Sequence, residues 1–450
     1  MGGGRQVKLN SLNIQKAWGL NNLEILFGKP SDRYFENANV SILVGENGTG
    51  KTSILRLLSY AFFPEMAEKQ RLYPYFHVNY EINNENYELG AFGPESFQVV
   101  RPKRIIVSSF AVFEAFKVSH NNRNKYNDFV GEYAGTEYYY CGPTVSKGVA
   151  SLKEAIPTIV KSFYYPNNDN FHESINYLMK VIGYMGYPTI EISSPQPKDR
   201  ARNMHRIELA PEPELELLGE RLKGEIISRD LVRLVGGKYL ITPDKIDSSL
   251  LELLFKINDS KYYNRIFSDL IFDKDGRELR FSQMSSGELT MFFRFFPLID
   301  KICDESVILI DEPETHLHPR WIKNYINLIV KLFGDFKVHI IIATHSPLIA
   351  SDVPKECIVG LKRNKNNEIV QYHVNENTLG GETSDILQDV FNIVDYSGEF
   401  TIAKKEKIKQ LLNENKIREA LELYDDLSLS SGKYKFFTEI EHLLPNFRKD

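Results

Sequence analysis

The stretch that decides the fold is Gly45-Glu46-Asn47-Gly48-Thr49-Gly50-Lys51-Thr52, a complete match to the pattern G-x-x-x-x-G-K-[ST]. The apolar run at 40–44 predicts a short buried strand before it, and residues 50–58 predict the helix that follows. Glycines let the backbone wrap tightly, so that several N–H groups and the helix N-terminus point at one anion. The pattern therefore predicts a strand, a phosphate-binding loop and a helix, which belong to an α/β fold.

The loop also predicts the ligand, because a lysine followed by a threonine is what a nucleoside triphosphate with Mg²⁺ requires. We expect Lys51 to reach the β- and γ-phosphates of ATP, and the Thr52 hydroxyl to ligate Mg²⁺. A glycine-rich turn without a ligand is the alternative, and it leaves this pair unexplained. The other expected nucleotide contacts from this segment are Asn47, Gly48, Gly50 and Ser53.

Two further apolar runs each end in a polar group. Residues 306–310 predict a central parallel strand that delivers Asp311 and Glu312 to the edge of the sheet where ligands bind. We expect Asp311 to hold Mg²⁺ and Glu312 to orient or deprotonate the attacking water. The second strand, 338–343, leads to His345, for which a contact with the γ-phosphate and the same water is expected.

The segment Met284-Ser285-Ser286-Gly287-Glu288 opens a predicted helix at about 287–302. Short serine and glycine residues at a helix start expose N–H groups and hydroxyls, which is a second anion site. One chain thus carries two phosphate cradles, and a simple geometric account gives the second one to the ATP of a partner subunit. This account predicts a homodimer or higher homo-oligomer closed over the nucleotide, with contacts from Ser285, Ser286, Gly287 and Glu288.

The four motifs in this order resemble those of ABC-type, AAA-family ATPases on the branch that contains SMC-like and OLD-like proteins. The run from Asp311 to Pro319 is similar to the D-E-P-E-x-x-L-H-P string of OLD-like ATPases. The resemblance covers about 5–60, 100–115 and 270–375. The stretch after Ser384 is similar to tails of prokaryotic defence ATPases, such as those of Septu and retron-associated systems. For the residues of the four motifs, the resemblance implies the nucleotide-binding, metal-binding and catalytic roles given above.

The predicted fold is an ABC-type P-loop ATPase head with a largely helical insertion and a C-terminal helical tail. The expected divisions are an N-terminal lobe at 5–115, a mainly helical insertion at 116–270, a C-terminal lobe at 271–380 and a tail at 381–450. Helices within the insertion are expected near 150–164, 171–185 and 212–234.

Composition agrees with a globular protein, since 42% of the 450 residues are hydrophobic. Three scattered cysteines favour a reducing cytoplasm, and no apolar run is long enough to span a bilayer. A net charge of −5 argues against a protein whose whole surface is suited to general nucleic-acid binding. It leaves a local contact open, for example at the basic cluster 198–206, which is otherwise a solvated loop.

The functional hypothesis is an ATP-binding and ATP-hydrolysing dimeric switch in a prokaryotic anti-phage defence or DNA-transaction complex. The residues after His345 lack a convincing carboxylate cluster, so we expect the output to come from a separate effector protein, such as a nuclease. The alternative is a nucleotide-gated scaffold with little turnover that holds an effector inactive. Two details stay open. Trp18 and Phe35 are the candidates for the adenine-stacking residue. No clear glutamine of the Q-loop type lies at 105–110, and its metal contact is left to Ser108, Ser109 or a water molecule.

Overall fold

A computed structural model describes the chain at residues 6–28, 34–64, 74–90, 100–110, 116, 129–142, 145–146, 149–150, 152–164, 171–195, 218, 232–235, 238–260, 264–391, 393 and 398–444. The chain divides into two units, Met1–Phe391 and Asn392–Asp450. Within the described ranges, no helix is long and apolar enough to cross a membrane.

The central element of the first unit is a sheet that has eight strands among the described residues, in the order β19-β18-β3-β17-β16-β6-β8-β7. Its middle strands are parallel and are formed almost entirely of buried residues, as the continuous apolar runs predict. The strands are β3 (Asn39–Gly45), β6 (Arg104–Ser109), β7 (Phe129–Tyr133), β8 (Thr136–Tyr140), β16 (Ser306–Asp311), β17 (His339–Ala343), β18 (Ile358–Arg363) and β19 (Ile369–Tyr372).

Side chains of the central strands alternate between two hydrophobic cores, one on each face of the sheet. On β16, Ile308 and Ile310 enter one core, whereas Val307 and Leu309 enter the other. The second core is closed by α1 (Lys51–Phe62) and by an antiparallel sheet of order β2-β1-β4-β5. The strands of that sheet are β1 (Val7–Ala17), β2 (Leu20–Leu26), β4 (Tyr75–Ile82) and β5 (Glu85–Gly90).

The first core is covered by helices and by an antiparallel sheet of order β12-β13-β11-β14-β15. Its strands are β11 (Met185–Ser193), β12 (Val232–Val235), β13 (Lys238–Ile241), β14 (Phe267–Lys274) and β15 (Arg277–Arg280), and a small hairpin is formed by β9 (Val145–Ser146) and β10 (Val149–Ala150). The remaining helices among the described residues of the unit are α2 (Leu152–Tyr164), α3 (Phe171–Ile182), α4 (Ser248–Asn258), α5 (Ser286–Lys301), α6 (Pro319–Lys323), α7 (Tyr325–Phe333), α8 (Pro347–Ala350) and α9 (Thr383–Asp389).

The insertion differs from the expected mainly helical segment. The predicted helices near 150–164 and 171–185 are present as α2 and α3, but α3 ends at Ile182 and β11 follows at once. The strand pattern of β11 alternates apolar and polar residues from Thr189 to Ser193, and its buried residues pack on α2 and α3. Most of the third predicted helix, 212–234, and the basic cluster at 198–206 lie outside the described residues.

The tail also starts later than the expected residue 381. Helix α9 belongs to the first unit, because Ile386, Val390 and Phe391 are buried in its core. The second unit contains α10 (Glu399–Asn413), α11 (Ile417–Asp425) and α12 (Ser431–Ile440), which enclose a small core of their own. Its buried members are Ile408, Leu411, Leu412, Ala420, Phe436, Ile440 and Leu444.

Candidate nucleotide site

Four neighbouring strands bring the predicted site residues to one edge of the central sheet. In the register of the sheet, Leu43 of β3 pairs with Ala343 of β17, and Ala343 pairs with Asp311 of β16. Asp311 also pairs with Ser109 of β6. Because these strands are parallel, the residues that follow each of them meet at the carboxyl edge, where ligands bind in open α/β sheets.

The phosphate loop turns from β3 into α1 through a left-handed glycine. Gly50 is the N-cap of α1 and has a φ of 84°, a conformation that residues with a Cβ rarely adopt. A Cβ at this position would lie 2.5 Å from Leu20 Cδ2. The hairpin between β1 and β2 therefore packs directly against the loop, and the positive φ favours glycine at this position.

Lys51 is the buried cation of this loop, with 4% of its surface exposed. Its Nζ donates to the carbonyl oxygens of Gly45 at 2.9 Å and Glu46 at 3.2 Å, and lies 3.4 Å from His345 Nδ1. Burial lowers the pKa of Lys51 to about 8, against the opposing charges of nearby carboxylates, Glu312 first. The negative charge of a bound triphosphate would stabilise the protonated form of this amine.

Asp311 is fully buried and is bound by two hydroxyl groups. Thr52 Oγ1 donates to its two oxygens at 3.0 and 3.1 Å, and Ser109 Oγ donates to Oδ2 at 3.5 Å. Burial raises the pKa of Asp311 to about 6, although the Thr52 hydrogen bond opposes the shift. A hydroxyl and a carboxylate oxygen beside a phosphate loop are hard oxygen donors, so this donor set fits Mg²⁺.

Glu312 follows Asp311 in a left-handed conformation, with a φ of 51°. Its Oε1 lies 3.2 Å from His345 Nε2, and about a quarter of its side chain is exposed. Burial alone would raise the pKa of Glu312, but the hydrogen bond and charge of His345, helped by Lys51, outweigh it and lower that pKa. Lys51, His345 and Glu312 thus form a polar chain with an ionised carboxylate at its open end.

Two site residues were not predicted from the sequence. Glu314 accepts hydrogen bonds from Thr344 Oγ1 at 2.8 Å and from the backbone N–H of His345 at 2.6 Å, which ties the two strand ends together. Arg294 of α5 is 1% exposed and donates to the carbonyl oxygens of Glu312 at 3.4 Å and Thr315 at 2.6 Å. In the sequence, the only sign of the role of Arg294 is that it is a single charged residue within a run of phenylalanines in α5.

The predicted second cradle lies at the start of α5. Ser285 caps the helix, and Ser285 and Ser286 are exposed. Gly287 lies so close to Trp321 that a Cβ at this position would be 2.9 Å from Trp321 Cζ3. The Glu288 carboxylate, in contrast, is buried and bound within the chain. Among the described residues, no hydrogen bond joins this segment to Lys51, Thr52, Asp311 or His345.

The candidates for adenine stacking are placed differently from each other. Phe35 is buried in the first core, with 4% of its surface exposed, so its ring is not accessible to a nucleotide. Trp18 occupies the turn between β1 and β2, and the Arg56 guanidinium lies 4.6 Å from the centre of its ring. In the loop itself, Asn47 and Gly48 are exposed, whereas Ser53 is partly buried in the first turn of α1.

A phosphate loop, an acidic strand end, a histidine just after the strand between them and a serine-capped helix define the class of protein: a P-loop ATPase of the ABC type. Residues 40–352 match the family described as "AAA domain, putative AbiEii toxin, Type IV TA system", and the chain belongs to that family. The resemblance to OLD-like proteins and to proteins of retron and Septu systems, expected from the motifs, is confirmed.

Three relatives illustrate the range of similar proteins. Protein ea59 of Escherichia phage lambda is 25% identical and covers 79% of this chain and 54% of its own length. The Retron Ec83 probable ATPase of Escherichia coli is 26% identical over 28% of this chain and 24% of its own. Septu protein PtuA of Bacillus thuringiensis is 28% identical over 36% of this chain and 44% of its own. The chain thus spans about half, or less, of the length of these relatives.

Proposed function

We propose that this chain hydrolyses ATP to ADP and phosphate as a homodimer that closes over two nucleotides. The observation that carries the proposal is the convergence of Lys51, Asp311, Glu312 and His345 at one sheet edge, with Ser286 exposed on a separate helix start. Because the second cradle faces solvent, it is available to bind the γ-phosphate of an ATP molecule held by another copy of the chain.

The chain supplies most of the groups that the reaction needs. The loop N–H groups and Lys51 bind the phosphates, and Glu312 accepts a proton from the water that attacks the γ-phosphorus as the bond to the bridging oxygen breaks. His345 holds the Glu312 carboxylate in place and contacts the γ-phosphate. Thr52 and Asp311 would hold Mg²⁺, which neutralises charge on the β- and γ-phosphates when bound.

The proposed biological role is a switch subunit of a cytoplasmic prokaryotic defence complex that acts through a separate effector protein. Its support is the similarity to a retron ATPase and to a Septu protein, together with a C-terminal unit that has its own core. The partial coverage of these relatives leaves their partners as hypotheses for this chain. Slow turnover by the intact protein, despite tight ATP binding, would instead favour the nucleotide-gated scaffold.

A pair of variants tests the dimeric switch. Glu312→Gln keeps the phosphate and Mg²⁺ contacts but removes the water-activating carboxylate, so hydrolysis should fall at least ~100-fold and an ATP-dependent dimer should accumulate. Light scattering with and without ATP measures the dimer. Ser286→Arg should bind ATP normally and stay monomeric, because bulk then occupies the second cradle. Wild-type hydrolysis by Glu312→Gln would exclude Glu312 as the catalytic residue, and a Ser286→Arg dimer would exclude the sandwich.

A further inference from the structure

The start of α5 is held by side chains from outside the helix as well as by its own cap. The Glu288 carboxylate is 6% exposed and accepts hydrogen bonds from the backbone and hydroxyl of Ser285 at 2.8 and 2.6 Å. It also accepts from the Tyr184 hydroxyl at 2.9 Å and from the Lys274 ammonium group. Four donors therefore converge on one buried carboxylate. Two of them come from outside α5: Lys274 lies in the antiparallel sheet β12-β13-β11-β14-β15, and Tyr184 directly precedes its strand β11.

Tyr184 and Lys274 are themselves fixed by that sheet. Tyr184 lies between α3 and β11, is 1% exposed, and packs its ring edge-on against Phe272 and Phe292. Lys274 is the last residue of β14, where Asp275 and Gly276 make the tight turn into β15. The Lys274 ammonium also lies 5.0 Å from the centre of the Tyr184 ring. Both donors belong to parts of the fold outside α5, so their hydrogen bonds to Glu288 restrain the start of that helix.

A second contact fixes the same helix start from the other side. The Trp321 indole lies against Gly287 and donates to the carbonyl oxygen of Val181 in the last turn of α3 at 3.3 Å. Gly287 is thus clamped to the end of α3, the segment that leads directly to Tyr184. The exposed Ser286 lies between Ser285, which is bonded to the anchored Glu288 carboxylate, and Gly287, which lies against Trp321 from outside α5.

We infer that Lys274 and Tyr184 are positioning residues, which fix through Glu288 the point at which Ser286 meets the nucleotide of the partner subunit. This inference rests on the proposed dimer, and it gives the antiparallel sheet β12-β13-β11-β14-β15 a role in dimer closure. A preorganised donor binds its anion without first being ordered. Loss of the hydrogen bonds from Lys274 or Tyr184 to Glu288 therefore weakens the closed dimer. Binding of ATP to the monomer does not use Ser286 and should not change.

The test measures dimerisation of the full chain with ATP and Mg²⁺ in the Glu312→Gln background. Adding Lys274→Met should raise the dimer dissociation constant by about tenfold or more, because one charge-assisted hydrogen bond to Glu288 is lost. Lys274→Arg should restore most of the affinity, and Tyr184→Phe should give a smaller loss. ATP affinity of the monomer should stay within about twofold in every variant.

Lys238→Met is the matched control, since Lys238 bonds a buried glutamate, Glu191, at 2.7 Å in the same sheet but does not contact the start of α5. It should leave the dimer constant unchanged. An unchanged constant for both Lys274→Met and Tyr184→Phe overturns the inference while the proposed dimer stands, as does an equal loss for Lys238→Met. Absence of any ATP-dependent dimer in Glu312→Gln itself overturns the proposed function and the inference with it.

Discussion

At the scale of single residues, the site keeps charges in places where the folded protein alone does not favour them. Lys51 and Asp311 are both buried, and their pKa values shift in opposite directions toward the neutral forms, to about 8 and about 6. Each would be stabilised in its charged form by a partner, the phosphates for the amine and Mg²⁺ for the carboxylate. The unliganded site is therefore less stable than an uncharged one of the same shape.

Replacing Asp311 should reveal this cost. Its folded pKa of about 6 lies above the usual 3.8, so the ionised form destabilises the fold at all pH values above about 6 and has no effect below 3.8. Asp311→Asn should therefore raise the unfolding free energy of the nucleotide-free protein at pH 7.5 by about 1–3 kcal/mol, and abolish hydrolysis.

Urea unfolding at pH 7.5 and pH 5 checks this expectation, because the gain should shrink at the lower pH. The exposed Asp389 offers a control, and Asp389→Asn should change neither stability nor activity. A less stable Asp311→Asn protein at pH 7.5 would contradict the proposed origin of the pKa shift.

At the scale of elements, His339 joins three strands. Its Nδ1 accepts from the backbone N–H of Leu9 in β1 at 2.9 Å, so Nε2 carries the proton and donates to Ser41 Oγ of β3, also at 2.9 Å. The ring is 2% exposed, and burial lowers the pKa of His339 to about 3. The neutral ring is thus a fixed polar link between the central sheet and the β1–β2 side of the molecule.

This link predicts a pH dependence of stability. The folded pKa of about 3 lies below the usual 6.5, so stability should be constant above pH 6.5 and fall as the pH drops, by up to about 1.4 kcal/mol per unit. His339→Leu should remove this slope and cost about 1–3 kcal/mol at pH 7, since Leu9 N–H and Ser41 Oγ lose their partner. Urea midpoints at pH 7 and 5 measure both effects, with the exposed His373→Gln as control. An unchanged slope in His339→Leu would show that another group titrates.

The elements that sequence patterns predict best are those with long apolar runs. The strands at 40–44, 306–310 and 338–343 and the helices after Gly50 and Ser286 are confirmed to within two residues, apart from the far end of α1. Strand β11 was missed, because its first half, Met185-Gly186-Tyr187, has no alternation and its pairing with β14 is a distant contact. Arg294 acts through backbone carbonyl groups, which a side-chain motif does not encode. Glu314 lies within the run from Asp311 to Pro319, but its bonds to Thr344 and His345 depend on a contact between two strand ends that the run does not show.

At the scale of the whole molecule, the boundary between the two units can be tested by truncation. A chain ending at Phe391 should keep its ATP affinity, hydrolysis rate and Tm, because the residues beyond it form a core of their own. A chain ending at residue 380, where the sequence placed the boundary, should lose at least ~2 kcal/mol, because it exposes the sites of Ile386, Val390 and Phe391. Calorimetry and ATP turnover of both chains decide between the two boundaries.

Equal stability of the two truncated chains would place the end of the first unit before α9. Loss of ATP binding in the chain ending at Phe391 would instead make the C-terminal unit part of the nucleotide site. In the proposed complex, the longer truncated chain is also the tool that separates ATP binding from recognition of an effector.

The order of strands in the central sheet has a consequence for synthesis of the protein. Strand β3 lies between β17 and β18, so both described neighbours of the strand that leads into the phosphate loop are made about 300 residues later. At roughly 5–20 residues per second on a ribosome, its apolar edges wait on the order of 15–60 seconds for their neighbours. Folding is therefore dominated by non-local pairing, which is intrinsically slow, and the nascent N-terminal half depends on protection from aggregation until the second half emerges.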